Sequence, residues 1–98
     1  MNSTNTNKSL LWELVRVVWV DSYGVSSGWQ AIDSYEAEEL EVTSFGLVIY
    51  SNDKVLALAH NYARETALTP EQANGIIVIP KCSIKAITFC SFSCPELE

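Results

Sequence analysis

The densest group of side chains able to hold a ligand lies at positions 19 to 30, where the sequence reads WVDSYGVSSGWQ. Serine hydroxyls, and the backbone N–H groups that glycine leaves accessible, can bind phosphate or hydroxyl oxygens. Tryptophan and tyrosine rings offer flat faces on which a base can stack. The segment therefore predicts a recognition loop, and its candidate ligand-binding residues are Trp19, Asp21, Ser22, Tyr23, Ser26 and Trp29.

The same composition also suits a purely structural turn. Asp21 and Ser22 can close an Asx-type turn, and the glycines at 24 and 28 permit a positive φ. Both tryptophans can then be core residues, since loop aromatics are often buried. Replacing Asp21 and Ser22 together with alanine distinguishes the two interpretations, because a binding loop loses its ligand whereas a structural turn loses stability.

His60 is the only histidine of the chain and follows the apolar run LALA. We expect it at a strand end, as a polar contact or as a rim residue of the binding site. A hydrolase triad can be drawn with Asp21 and Ser22, but no nucleophile elbow surrounds the serine. We therefore expect no catalytic residues and no enzymatic activity.

The chain has no glycine-rich phosphate loop and no His, Cys or Asp cluster with metal-ligand spacing. Its cysteines, Cys82, Cys90 and Cys94, lack the paired Cys-x-x-Cys spacing of a zinc site. We expect neither a metal nor a cofactor, and we interpret the cysteines as free thiols in a reducing cytosol.

Length and charge limit the classes of function. A chain of 98 residues closes one small core, and its net charge of −6 disfavours general nucleic-acid binding. Apolar runs such as residues 75–80 are far shorter than a membrane span, and the polar N-terminus lacks a signal-peptide apolar region. We expect a flexible tail at 1–9, one domain at 10–92 and a second flexible tail at 93–98.

Apolar patterning predicts a mainly β protein. The expected strands are 10–20, 41–50, 54–60, 75–80 and 84–92, with a tight turn at 51–53 that makes a hairpin. Short helical turns are expected after Asp33 or Ser34, and again from Thr69, which is followed by a proline at the first helical position.

A strand that ends in Pro80, a turn of three residues and a strand starting at Ile84 are typical of barrels in which one 3₁₀ turn joins the last two strands. The fold expected is thus a small five-stranded SH3-like or Sm-like barrel, a homo-oligomer because of its exposed strand edges. The core expected from the strands comprises Trp12 or Trp19, Phe45, Leu47, Ile49, Leu56, Leu58, Ile77, Ile79, Ile84, Ile87 and Phe89.

Four segments together resemble small uncharacterised proteins of tailed phages and prophages: VVWVDSYGVSSGW at 17–29, SFGLVIY at 44–50, LALAH at 56–60 and GIIVIPKCSI at 75–84. The resemblance spans residues 15–90 and implies an early or accessory phage protein in the host bacterial cytoplasm. It brings no catalytic residues.

Two functions follow as expectations. The first is a non-enzymatic binding protein that captures a small nucleotide-like host molecule or a host protein and so counters a bacterial defence. The alternative is a structural or interaction protein that assembles through its barrel with itself or with other phage proteins.

Overall fold

The computed structural model describes residues 10–25 and 27–90. They form a mainly β protein of five strands in one antiparallel sheet, with two single turns of 3₁₀ helix. The strands are β1 (Leu14–Asp21), β2 (Leu40–Ser51), β3 (Val55–Ala63), β4 (Gln72–Pro80) and β5 (Ile84–Phe89). The tails expected at 1–9 and 93–98 lie outside the described residues.

The order of strands across the sheet is β4-β3-β2-β1-β5. β4 and β5 are the two edges, and no pairing between them closes the sheet into a barrel among the described residues. As predicted, one 3₁₀ turn, Lys81–Ser83, joins these edge strands directly after Pro80.

The core lies on one face of the sheet. Residues directly opposite on neighbouring strands share a face, so the pairs Val15↔Gly46 and Val17↔Ser44 put alternate residues of β1 and β2 on the core side. Residues from both halves of the sheet fill this core, namely Leu10, Val15, Val17, Trp19, Val48, Leu56, Leu58 and Ile79. Ile84 and Ile87 of the opposite edge pack against them.

Of the alternatives Trp12 and Trp19, Trp19 is the core residue, and the expected core was wrong at Phe45 and Phe89, whose side chains are about half exposed. In β2 the buried residue is Val48, while Phe45 lies opposite Arg16 on the outer face. The cause is Gly46, whose missing side chain lets β3 approach: a Cβ there would come within 2.9 Å of the Leu58 Cβ. The inward-facing positions of β2 are therefore 44, 46 and 48, and the register shift between Val48 and Tyr50 ends this alternation, since Tyr50 is about half exposed.

β1 and the first helical turn begin elsewhere than expected. β1 begins at Leu14 because the chain turns at 10–13, where Trp12 has a φ of 70° and its N–H donates to Val48 C=O over 2.8 Å. The helical turn near Asp33 is the 3₁₀ turn Ile32–Ser34, one turn earlier than expected.

The helical turn expected from Thr69 is absent. Thr66 closes this connection instead, because its hydroxyl oxygen accepts the N–H groups of Leu68 and Thr69. Its own N–H donates to Thr69 C=O over 2.9 Å. β4 therefore starts at Gln72, ahead of the glycine where the sequence pattern placed it.

The hairpin between β2 and β3 is confirmed. Asn52 makes its turn, since its N–H donates to Val55 C=O and its side-chain oxygen accepts the N–H groups of Lys54 and Val55. This is the local bonding that makes asparagine a turn residue.

Candidate functional site

The loop of residues 22–39 leaves β1 and returns at β2, and its two ends are adjacent because Asp21 pairs with Leu40. Tyr23 fastens these ends a second time. Its hydroxyl donates to Glu38 C=O over 2.5 Å and lies 3.4 Å from the Glu38 nitrogen, whose N–H donates to it. The loop is therefore clasped at its base by the strand pair and by the Tyr23 hydroxyl.

The residues expected to bind a ligand divide between structural and exposed positions. Trp19 is buried in the core, and its indole N–H donates to Ser44 Oγ over 3.0 Å. Asp21 accepts the N–H of the next residue, Ser22, through Oδ1 over 2.8 Å, whereas an Asx turn would use the N–H two residues on. Ser22 is exposed, and Ser26 lies outside the described residues.

Trp29 differs from Trp19 because its ring is fully exposed. Ile32 is 90% exposed close by in sequence, and Tyr35 and Val25 are about half exposed. A shallow depression of about 410 Å³ is lined by Val25, Gln30, Ile32 and Tyr35. We call the loop residues Val25, Trp29, Ile32 and Tyr35 the apolar tip.

Sequence reasoning identified Trp29 but missed the other three residues of the apolar tip. A signal was present, since Val25 and Ile32 are apolar residues in a segment that has no strand or helix periodicity. Such residues lie outside the strands that could bury them, so their side chains are exposed on the loop.

His60 lies away from this loop. It lines a second depression, of about 290 Å³, together with Gly46 near the start of β1, whereas the loop leaves at Asp21. Asp21 lies six residue steps along β1 from Val15, the partner of Gly46, which corresponds to about 20 Å. The structure therefore brings Asp21, Ser22 and Tyr23 together but not His60.

The electrostatics around the loop are negative. Asp33, Glu36, Glu38 and Glu39 lie within it, and the sequence has no lysine, arginine or histidine from 17 to 53. The nearest cation, Lys85 of β5, bridges Glu39 over 3.2 Å and Glu41 over 3.0 Å. These hydrogen bonds to Glu41 and Glu39 raise the pKa of Lys85 above its usual value.

In the part of the chain that the structure describes, no group of three or more His, Cys, Asp or Glu side chains could hold a metal ion. No helix among those residues is long and apolar enough to cross a membrane. Comparison of the chain with protein-family models, with curated proteins and with solved structures gives no match.

Proposed function

We propose that this chain is a non-enzymatic, phage-encoded binding protein that acts in the host cytoplasm and captures a host defence protein through the apolar tip. The observation that carries the proposal is the exposure of Trp29 and Ile32 at the end of a clasped loop. Exposed aromatic and branched apolar residues are the anchors of protein interfaces, where they fill a pocket of the partner.

The charge of the loop favours a partner of one kind. An apolar centre with an acidic surround matches a surface whose apolar pocket is bordered by lysine or arginine. The phosphates of a nucleotide would meet four carboxylates in this loop, and the nearby Lys85 is already bonded to Glu39 and Glu41. A protein therefore fits better than a nucleotide.

A small planar ligand is a second candidate, because the depression beside Ile32 and Tyr35 has a volume of about 410 Å³. This is within the size range of small-molecule sites. Such a ligand would be uncharged or cationic, and it would stack on Tyr35 or Trp29. Native mass spectrometry of the protein purified from its host would detect it as a constant added mass.

The test compares three immobilised proteins in host lysate: the unaltered chain, the double variant Trp29→Ala/Ile32→Ala, and Leu68→Ala. Leu68 is the matched control because it is an equally exposed apolar residue on another loop. We expect the amount of partner captured by the double variant to be lower by roughly tenfold or more, because two anchor residues are removed. Equal retention by the double variant and the unaltered chain would contradict the proposal.

We also propose that the sheet is an open relative of SH3-like or Sm-like barrels. Support comes from the 3₁₀ turn between β4 and β5, and from the single core to which both halves of the sheet contribute. A crystal structure in which the sheet is flat, with Ile79 and Ile87 on separate cores, would refute this.

A further inference from the structure

β4 is an edge strand without the usual protection against pairing with another chain. Among the described residues, its nine residues pair only with β3, and none of them is charged from Gln72 to Pro80. Edge strands of stable monomers are normally short, bulged or marked by an inward-pointing charge. β4 has none of these three features, and its departures from a regular strand are Gly75, whose φ is 67°, and the terminal Pro80.

The register determines which backbone groups of β4 are free to pair. The Lys81 N–H donates to Lys54 C=O over 2.8 Å, which makes Lys54 and Lys81 a hydrogen-bonded pair. Hydrogen-bonded and non-hydrogen-bonded pairs alternate along an antiparallel ladder. Ile77 and Ile79 therefore direct their N–H and C=O groups toward β3, whereas Ile76 and Val78 direct theirs away from the sheet.

The side chains of these same two residues are exposed. Ile76 lies opposite Ala59 and Val78 opposite Ala57, and each is about half accessible to solvent. Two β-branched side chains thus stand beside N–H and C=O groups that pair with no described strand, which is the composition that favours strand pairing.

We propose that two copies of this chain associate through β4, antiparallel and about a two-fold axis at Ile77. In this register Ile76 of one copy lies opposite Val78 of the other, and each residue exchanges both backbone hydrogen bonds with its counterpart. The two sheets become one continuous sheet, and the exposed side chains of Ile76 and Val78 cover each other in cross-strand pairs. A two-fold contact of this kind uses the same strand twice and closes at two copies.

Charge favours a second copy of the chain as the occupant of this edge. Glu71 precedes β4 and Lys81 follows it. The Lys81 ammonium donates to Ser51 Oγ and the Glu71 carboxylate accepts from the Tyr62 hydroxyl, so both charges are bonded within their own chain. Antiparallel pairing brings the start of one strand to the end of the other, which places opposite charges, and not like charges, near each other at the two ends of the contact. The uncharged strand between them lets two chains of net charge −6 approach without like charges in contact.

β5 is the less suitable edge. It has six residues, its pairing with β1 shifts register between Val18 and Trp19, and it carries the charge of Lys85. A short strand, an irregular register and a lysine are the features that protect an edge. Pairing of β4 with β5 of another copy would also be open-ended or ring-forming instead of stopping at two chains.

The test is the mass in solution of the full chain, measured by light scattering at micromolar concentrations. We expect twice the 10.9 kDa of one chain for the unaltered protein. Val78→Lys should run at the mass of a single chain with an unchanged circular dichroism spectrum. The matched control is Thr88→Lys, an exposed position on β5, which should keep the doubled mass.

A second experiment is independent of any loss of stability in Val78→Lys. Ile77→Cys, made in a chain whose own cysteines are replaced by serine, places two thiols at the two-fold axis in a non-hydrogen-bonded pair. Facing residues of such a pair have Cα atoms about 4.5 Å apart, which permits a disulfide. We expect a covalent dimer after mild oxidation.

Four results would overturn the proposal. They are a single-chain mass for the unaltered protein, a doubled mass that survives Val78→Lys, a mass above two chains, and no cross-link from Ile77→Cys. Dissociation by Thr88→Lys would move the interface to β5 and overturn it as well.

Discussion

Gly46 is the residue on which the packing of β2 against β3 depends. A Cβ at this position would lie 2.9 Å from the Leu58 Cβ and 3.1 Å from the Ala59 carbonyl oxygen, and both neighbours belong to a buried part of β3. Neither a backbone oxygen nor a Cβ atom can rotate away. The strands must therefore separate if the residue is any other than glycine.

We expect Gly46→Ala to lower the free energy of unfolding by about 1 to 3 kcal/mol, the range for overpacking in a well-filled core. Urea denaturation followed by tryptophan fluorescence measures it. Gly24→Ala is the control, since a Cβ there meets nothing within 4 Å. If the two variants are equally stable, the close approach of β2 to β3 is not a constraint on the fold.

The residue scale is also where sequence reasoning was least accurate. Phe45, Leu47 and Ile49 look like the core side of β2 because they are large, apolar and alternate. Yet the other parity, with Gly46 and Val48, is buried. Size and hydropathy cannot reveal that Gly46 faces inward. It does so because β3, which follows the turn after β2, approaches β2 closely at this position.

At the scale of elements, the loop of residues 22–39 has one fastening that can be removed without touching the core. Tyr23→Phe deletes the hydroxyl that bonds both backbone groups of Glu38. A net contribution of about 0.5 to 1.5 kcal/mol is typical of one such bond. We expect the global stability to change little, because Tyr23 is exposed.

The expected result is faster amide hydrogen exchange within residues 24–37 and weaker capture of the partner, since a looser loop must be ordered on binding. Tyr35→Phe removes a hydroxyl from the same loop and leaves the clasp intact, so its exchange rates should match those of the unaltered chain. Unchanged exchange in Tyr23→Phe would mean that the pairing of Asp21 with Leu40 alone holds the loop.

Elements were predicted well where the bonding is local and less well where it is not. The turn at Asn52 and the stop at Pro80 were correct because asparagine bonds its own turn and proline has no N–H for a ladder. The helical turn expected at Thr69 was wrong because the Thr66 hydroxyl accepts the N–H groups of Leu68 and Thr69 and closes a different turn. β1 was drawn too long because Leu10 enters the core across a turn that no local residue signals.

The candidate site could be found from its composition, but composition did not distinguish its buried structural residues from its exposed residues. Trp19 and Trp29 have the same side chain and occupy the same segment, yet one is buried against Ser44 and the other is fully exposed. The difference comes from position: Trp19 alternates with Val15 and Val17 on the buried face of β1, whereas Trp29 follows the end of β1 at Asp21. Whether each tryptophan is buried or exposed is thus decided by the pairing of strands distant in sequence, and not by residue type.

For the molecule as a whole, the distribution of charge distinguishes this β sheet from small barrels that bind RNA. The described cations are dispersed: Arg16 is on β1, Lys54 in the hairpin turn, Arg64 in a loop, Lys81 in the 3₁₀ turn and Lys85 on β5. Lys81 bonds Ser51 Oγ over 2.9 Å, and partial burial lowers its pKa. Lys85 is bonded to two glutamates.

We therefore expect no binding of single-stranded RNA or DNA of about 10 to 20 nucleotides, a length that spans the known site sizes of small barrels. Fluorescence anisotropy at about 50 mM salt is the most permissive measurement, because counterion release makes such affinity strongest at low salt.

The exposed ring of Trp29 could stack on a base, but stacking without phosphate neutralisation brings the nucleic acid toward a surface of net charge −6. Glu39→Gln/Glu41→Gln provides the sharper comparison, since it releases Lys85 and lowers the negative charge by two beside the loop. If that variant also fails to bind nucleic acid, the negative field of the whole chain excludes it. If instead the unaltered protein binds, with an affinity that declines steeply with salt, its few cations together form a binding surface for phosphates.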